Sequence, residues 1–389
     1  MGTAAQSLAI GWEVYARTDQ ALSLGLVGLF QAIPMILIIL PAGYLADVYD
    51  RRKLMMLSLT GATLTSFGLA ILSLYQISLK WTYLMLFLDA LFIGLGSPAQ
   101  RAITPLLIPK EHFENAVKWS SSLIHLTGIV GPAIGGIIIS FNIEAAYILS
   151  AFSSIAFIIF LSTMVLPPAP KIKQGKMIGQ IVKSLYYVRK HRLLFGSMSL
   201  DLFAVLLGGA VYLLPIFARD IINLSSIGIK PETALGWLRS APAIGAFIMA
   251  LVIAHLPTIK SAGKTLFWSV AGFGLATIIF GISQNFWLSL VMLAITGALD
   301  NISVVIRRVI SQMTVPNQMR GRVQAITAIF VGSSNEIGGF ESGLIAHIFN
   351  PVFSVVSGGI GTLIIVAAWT GLFPSLRNLG SLSSLKVKN

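Results

Sequence analysis

Eleven runs of mostly apolar residues follow one another along this chain, separated by short polar connections. A helix that crosses a bilayer takes about 20 such residues. The runs fall near 21–45, 54–75, 81–106, 114–141, 143–166, 194–218, 233–256, 263–283, 286–314, 321–348 and 352–373. Ahead of them, Leu8-Ala9-Ile10-Gly11-Trp12 reads as the trailing half of one more helix. At about 1.5 Å per residue that fragment is too short to span alone, so the expectation is eleven full spans plus an apparently truncated first helix. Only 11% of the 389 residues are charged, against roughly 25% in soluble domains. A chain this poor in charge cannot face water on all sides, and the expected class is an all-α polytopic membrane protein.

The net charge of +13 would point a soluble chain towards nucleic acid. Here the basic residues sit in the connections, and alternate sides sort them unevenly. Arg51, Arg52, Lys53, Arg101, the central linker, the Arg307–Arg308 and Arg320–Arg322 pairs and the C-terminal basics share one side with the rest of 22 of the 27 Lys and Arg. Arg17, Lys80, Arg219, Lys230 and Arg239 stay on the other. The positive-inside rule makes the first side cytoplasmic, with membrane lipids and not nucleic acid as surroundings, and a bacterial inner membrane as the expected place. No cysteine is present, which excludes disulfides and thiolate chemistry. Met1–Tyr15 lacks a basic n-region and carries Glu13, so no cleavable signal is expected.

The longest polar connection opens with Pro167-Pro168-Ala169-Pro170 and carries seven basic residues up to Arg192. Its second half, 178–187, reads either as an amphipathic helix on an anionic leaflet or as a solvated linker. It divides the chain into an N-terminal bundle at 1–166, a linker at 167–193, a C-terminal bundle at 194–373 and a tail at 374–389. Adding 207 to Lys53, Arg101, Pro109, Gly131 and Gly136 lands on Lys260, Arg308, Pro316, Gly338 and Gly343. Two related bundles with a substrate path between them are a common transporter plan.

Gly43-Tyr44-Leu45-Ala46-Asp47-Val48-Tyr49-Asp50-Arg51-Arg52-Lys53 lies between the first two full spans. Gly43 allows close helix approach. Asp47 is placed to meet a cation such as Arg101, or the start of span 321–348 as a helix N-terminus. Arg51, Arg52 and Lys53 read either as part of this gate or as interface anchors. The stretch resembles the loop signature of the major facilitator superfamily between helices 2 and 3. Val48 departs from it where a basic residue is usual, and Asp50 where glycine is common. Asp50 is similar to the subgroup that includes the enterobactin exporter and multidrug efflux proteins. The resemblance extends over Gly11-Trp12-Glu13, Phe217-Ala218-Arg219-Asp220, Arg320-Gly321-Arg322 and Phe340-Glu341-Ser342-Gly343. It implies two six-helix bundles, a complete first helix in relatives, and efflux of siderophore-like or drug-like solutes.

Gly128, Gly131, Pro132, Gly135 and Gly136 crowd one span. Such residues are tolerated where a neighbouring helix packs on bare backbone. They resemble the antiporter element of this superfamily, with Thr127 in place of the leading glycine. A packing seam and an antiport motif remain alternative readings. Carboxylates inside spans are expensive and usually face a cavity. Asp300 and Glu336 lie near the bilayer middle, with Glu341, Asp89, Asp201 and Glu13 elsewhere in spans. All six are candidates for proton coupling or substrate contact. Asp201 has the alternative of pairing with a basic linker residue, and Glu341 of facing outer water. Gln31, Asn301, Gln324, Asn335 and the aromatics Trp12, Phe30, Trp237, Phe330 and Phe340 are secondary candidates for lining a path.

The five histidines lack metal spacing and no GxxxxGK[ST] loop occurs, so no metal, cofactor or ATP site is expected. The expected function is secondary active export of a small organic solute by proton antiport, through alternating access in a monomer. An importer or lipid translocator of the same fold is the alternative, and a membrane enzyme or assembly subunit a more distant one.

Overall fold

The computed structural model describes residues 1–108, 112–164, 185–257 and 259–381. Among them the long elements are all helices: α1 (Gly2–Thr18), α2 (Ala21–Val48), α3 (Arg51–Leu74), α4 (Leu79–Leu107), α5 (Phe113–Ile139), α6 (Ile143–Thr163), α7 (Arg192–Leu207), α8 (Pro231–His255), α9 (Ala262–Ile282), α10 (Phe286–Thr314), α11 (Asn317–Ile348) and α12 (Pro351–Leu372). Among the described residues, ten segments are long and apolar enough to cross a membrane. The 321–348 run forms within α11 but is not one of the ten, and its middle carries Ser333, Ser334, Asn335 and Glu336. Large apolar side chains stand outward, Trp268 at 77% exposure among them, as expected where the solvent is lipid.

Local chemistry sets where the helices start. Asn142, Asn285 and Asn350 each precede a helix and accept a backbone N–H from Ala145 (2.8 Å), Leu288 (3.0 Å) and Phe353 (2.7 Å). Side-chain caps of this kind satisfy donors that the first turn leaves orphaned. The expected span at 194–218 forms within Arg192–Ile221, but the helix type changes along it. Helix α7 ends at Leu207 with Gly208 as its C-cap, and the chain then passes through a 3₁₀ turn (Gly209–Leu213), a short α-helical piece (Leu214–Ile216) and a π turn (Phe217–Ile221). A side chain at Gly209 would run into the backbone of α11, 2.7 Å from the Gly338 carbonyl. The 178–187 stretch lies largely outside the described residues, and 185–190 is helical.

The chain divides into two compact units, not at a single cut. Unit 1 takes residues 1–173, 214–220 and 224–240; unit 2 takes 174–213, 221–223 and 241–389. In unit 1, α1 packs on α5 and α6, α3 on α4 and α6, and α2 on α4. In unit 2, α7 packs on α11 and α12, and α9 on α10 and α12. The second unit thus repeats much of the first six helices later. Gly131 on α5 lies against α1, where an added Cβ would stand 2.7 Å from Ala4 Cβ. Gly338 on α11 lies against α7, 2.6 Å from the Leu206 carbonyl on the same construction. The core of unit 2 gathers Leu200, Leu266, Phe267, Ile306, Ile310 and Val323; that of unit 1 near the α2–α3 junction gathers Ala42, Ala46, Met55, Leu95 and Ala99.

Candidate functional site

Most of the signature loop is helix. Helix α2 runs on to Val48 and α3 begins at Arg51, leaving Tyr49 and Asp50 between them. Asp50 is the N-cap of α3, its carboxylate accepting from the Arg52 (2.8 Å) and Lys53 (3.3 Å) backbone N–H groups. The Arg51 side chain donates to the Ala46 carbonyl at 3.2 Å, and Arg52 donates to the Ser162 carbonyl. An acid at a helix N-terminus and guanidinium groups at two helix C-termini all complement the helix dipoles. The ends of α2, α3 and α6 are thereby tied together. Arg101 is exposed on α4. The Asp47 side chain lies outside the described residues, so its expected contact with Arg101 does too.

The glycines of α5 form a tight seam within unit 1. Gly131, Pro132, Gly135 and Gly136 are buried, with Gly128 one turn earlier. A Cβ on Gly136 would lie 2.7 Å from the Glu232 carbonyl and from Gly236 Cα, on the first turns of α8. Ser240 Oγ donates to the Ile129 carbonyl at 2.7 Å across the same seam.

The membrane-embedded carboxylates have very different surroundings. In unit 1, Glu13 is 3% exposed, pairs with Arg17 at 3.1 Å and accepts from the Tyr147 hydroxyl at 2.7 Å. Asp89 on α4 accepts from the Thr65 hydroxyl at 2.6 Å and from Gln6 Nε2 at 3.3 Å. In unit 2, Asp201 on α7 is ion-paired with Arg307 on α10, whose guanidinium also reaches Asp300 at 3.6 Å. The partner of Asp201 is thus a span residue and not a basic residue of the linker. Arg307 sits seven residues after Asp300, two turns along one helix face, and donates its Nε–H to the Ser303 carbonyl at 3.2 Å. Its placement among the loop basics hid it. The signal available was its position well inside the 286–314 run. Glu341 on α11 accepts from the neighbouring Ser342 hydroxyl at 3.4 Å.

Asp201, Asp300 and Arg307 line a cavity of about 610 Å³ in unit 2, together with Arg308, Gln312, Gln324, Thr327, Phe330 and Asn335. Asp201, Asp300 and Asn335 also line an adjoining cavity of about 190 Å³, near Tyr212 and Phe273. Asp300 has 47% of its side chain exposed, whereas Arg307 and Asp201 are nearly covered. Glu336, next to Asn335, is half-buried and is not among the residues lining these two cavities. The larger volume falls within the 300–1,000 Å³ usual for small-molecule sites. Its lining offers two acids, two guanidinium groups, amides and an aromatic ring, a surface suited to a polar organic solute.

Residues 1–386 match the family model described as transmembrane secretion effector. The enterobactin exporter EntS of Escherichia coli O1:K1 / APEC is 26% identical over 361 residues, 92% of this chain and 85% of that protein. EntS of Shigella boydii serotype 18 matches equally. Among solved structures, a mutant of the nucleoside transporter NupG superposes with a TM-score of 0.74 at 13% identity, covering 95% of this chain and 96% of that one. A POT family transporter in complex with a thioalcohol-conjugated peptide gives 0.72 at 13% identity, covering 96% and 93%. At such identities the structural likeness speaks for the fold alone.

Proposed function

The chain belongs to the transmembrane secretion effector family of the major facilitator superfamily, and from that premise we propose that it exports a small organic solute, siderophore-like or drug-like, in exchange for protons. Family and fold are those of an integral membrane transporter. Export and substrate class draw their support from the similarity to the enterobactin exporter. The cytoplasmic placement of the linker and tail draws on the distribution of Lys and Arg, and the proposed unit of function is a monomer.

The observation that carries the proposal is the Asp300–Arg307–Asp201 triad on the wall of a solute-sized cavity. A guanidinium shared by two carboxylates can be redistributed. Asp201 holds Arg307, which leaves the half-exposed Asp300 carboxylate, 3.6 Å from the guanidinium, able to accept from a donor group of the solute. When Asp300 takes a proton, that acceptor is lost and the solute is released. A solute and a proton that compete for one carboxylate exclude one another, which is the requirement of antiport. Alternating access then exposes the site to each side in turn. In this scheme Asp300 carries the proton and the solute in alternation, while Arg307 and Asp201 position it. Glu336 is a second coupling candidate on α11, while Asp47, Asp50, Arg51, Arg52 and Arg101 belong to the gate.

The test is proton-driven uptake of candidate solutes into everted membrane vesicles. The wild type is expected to accumulate solute when the vesicle lumen is acidified. Asp300→Asn should abolish accumulation against a gradient while leaving downhill exchange. If Asp300→Asn and Glu336→Gln both pump like the wild type at every pH, proton coupling through these residues is wrong. Uptake only into right-side-out cells would overturn export.

A further inference from the structure

We propose that unit 1 contains a binding site for a sodium-sized monovalent cation, centred on Asp89 and built from oxygens of Gln6, Thr65, Ser66 and Ser150. Gln6 on α1, Ser66 on α3, Asp89 on α4 and Ser150 on α6 line one small cavity of about 120 Å³, and Thr65 on α3 holds Asp89 from outside that lining. Water occupies about 30 Å³ per molecule in the liquid, so this space takes one ion with a few waters. It is far below the size of an organic solute site.

The donor set defines the ligand. Among the described residues, Asp89 is the single ionisable one lining the cavity, and no Lys, Arg or His shares the lining. Its two carboxylate oxygens accept from Thr65 and Gln6. Ser66 Oγ lies 2.7 Å from Gln6 Oε1 and 3.5 Å from Ser150 Oγ. Gln31 stands on the same lining. The hydroxyl hydrogens are oversubscribed. Thr65 has Asp89 and the Ala62 carbonyl within reach, and Ser66 has Gln6 and that same carbonyl. Each hydroxyl carries one hydrogen, so lone pairs outnumber donors around the cavity. A cluster rich in lone pairs and bearing one buried negative charge is matched by a hard cation. One carboxylate balances one positive charge; calcium takes six to eight oxygen ligands, magnesium keeps an octahedral shell with several waters, and copper, nickel and zinc are suited by His or Cys. The nearest basic side chain on α1, Arg17, is engaged by Glu13 and the Ile77 carbonyl. Ionisable residues buried within spans also mark ion pathways in transporters. The site is independent of proton exchange in unit 2.

The full-length protein is purified in detergent and its thermal unfolding followed as NaCl replaces choline chloride at constant ionic strength and pH. The expected result is a saturable rise in Tm with sodium, since a ligand that binds only the folded state stabilises it. Asp89→Asn should melt in one transition with no sodium response. Thr65→Val should raise the half-saturating sodium concentration at least ten-fold. A wild type that melts alike in both salts overturns the proposal, as does an undiminished response in Asp89→Asn. Should Asp89→Asn not fold, an undiminished response in both Thr65→Val and Ser150→Ala has the same force. A Tm that follows pH but not sodium would identify a proton site and overturn it too. Because the readout is stability, its failure is distinct from a failure of solute export.

Discussion

Asp89 in unit 1 and Asp201 in unit 2 are equally buried, at 7% exposure each, yet they are compensated in opposite ways. Asp201 faces a guanidinium that it shares with Asp300, whereas Asp89 faces a hydroxyl and an amide. Removing one member of a buried ion pair strands the other charge; removing a carboxylate held by neutral donors leaves those donors without an acceptor but strands no charge. Burial alone therefore does not say what a membrane-embedded acid is for. The partner decides, and in this chain it separates a redistributable charge in unit 2 from an isolated one in unit 1.

The sharpest way to break this contrast is to remove the shared cation. Arg307→Gln should cost about 3–5 kcal/mol, the usual penalty for orphaning a buried partner. Adding Asp201→Asn should recover at least half of that loss, read from thermal unfolding as a double-mutant cycle. An additive double mutant would mean that Arg307 and Asp201 do not act as a pair. Next in size is the matched comparison of the two acids in sodium-free buffer. Asp201→Asn leaves Arg307 only its 3.6 Å contact with the half-exposed Asp300 and should destabilise by several kcal/mol, and Asp89→Asn by about 1 kcal/mol, the usual worth of a hydrogen bond. Equal losses would erase the distinction.

A third comparison uses the repeated helix contacts. Gly338→Ala pushes a methyl into the Leu206 backbone carbonyl, which cannot move without shifting α7. Overpacking of this kind costs about 1–3 kcal/mol. Gly131→Ala meets the methyl of Ala4, and the double change Gly131→Ala with Ala4→Gly should restore stability. No such exchange of side chains relieves Gly338→Ala.

The spans were legible because each is a local property, a run of apolar residues long enough for a bilayer. The seam of α5 was legible for a similar reason: Gly131, Pro132, Gly135 and Gly136 concentrate in one run, and only a close neighbour explains them. The identity of that neighbour was not, since the first turns of α8 lie about 100 residues later and no local pattern ties Gly136 to Gly236. Arg307 was misplaced because it was grouped with the neighbouring Arg308 among the loop basics, although it lies seven residues inside the end of its helix at Thr314, two turns from the interface. The pairing of Asp201 with it is a fact of packing. The change of helix type after Leu207 was hidden because the apolar run continues through 209–218, and hydropathy does not register it. Asp50 stood out as a departure from a family pattern, but its physical role is local and could have been read directly: an acid immediately before a helix start is a cap.

That role supplies the smallest and most specific comparison between the units. Helix α3 opens on Asp50, whose side chain accepts two backbone N–H groups. Helix α9 opens on Ser261, whose side chain makes no capping bond. Removing a working cap costs about 1 kcal/mol, so Asp50→Ala should lower stability by that amount, and Asp50→Asn or Asp50→Ser by only a fraction of it. Ser261→Ala should change nothing measurable. Because Arg51 and Arg52 reach the Ala46 and Ser162 carbonyls from the first turn that Asp50 caps, fraying this turn also loosens the junction of α2, α3 and α6. Hydrogen exchange of the first-turn amides of α3 should therefore quicken in Asp50→Ala together with those at the end of α6. Faster exchange confined to α3 would reduce Asp50 to a simple cap and remove its claim to hold the junction together.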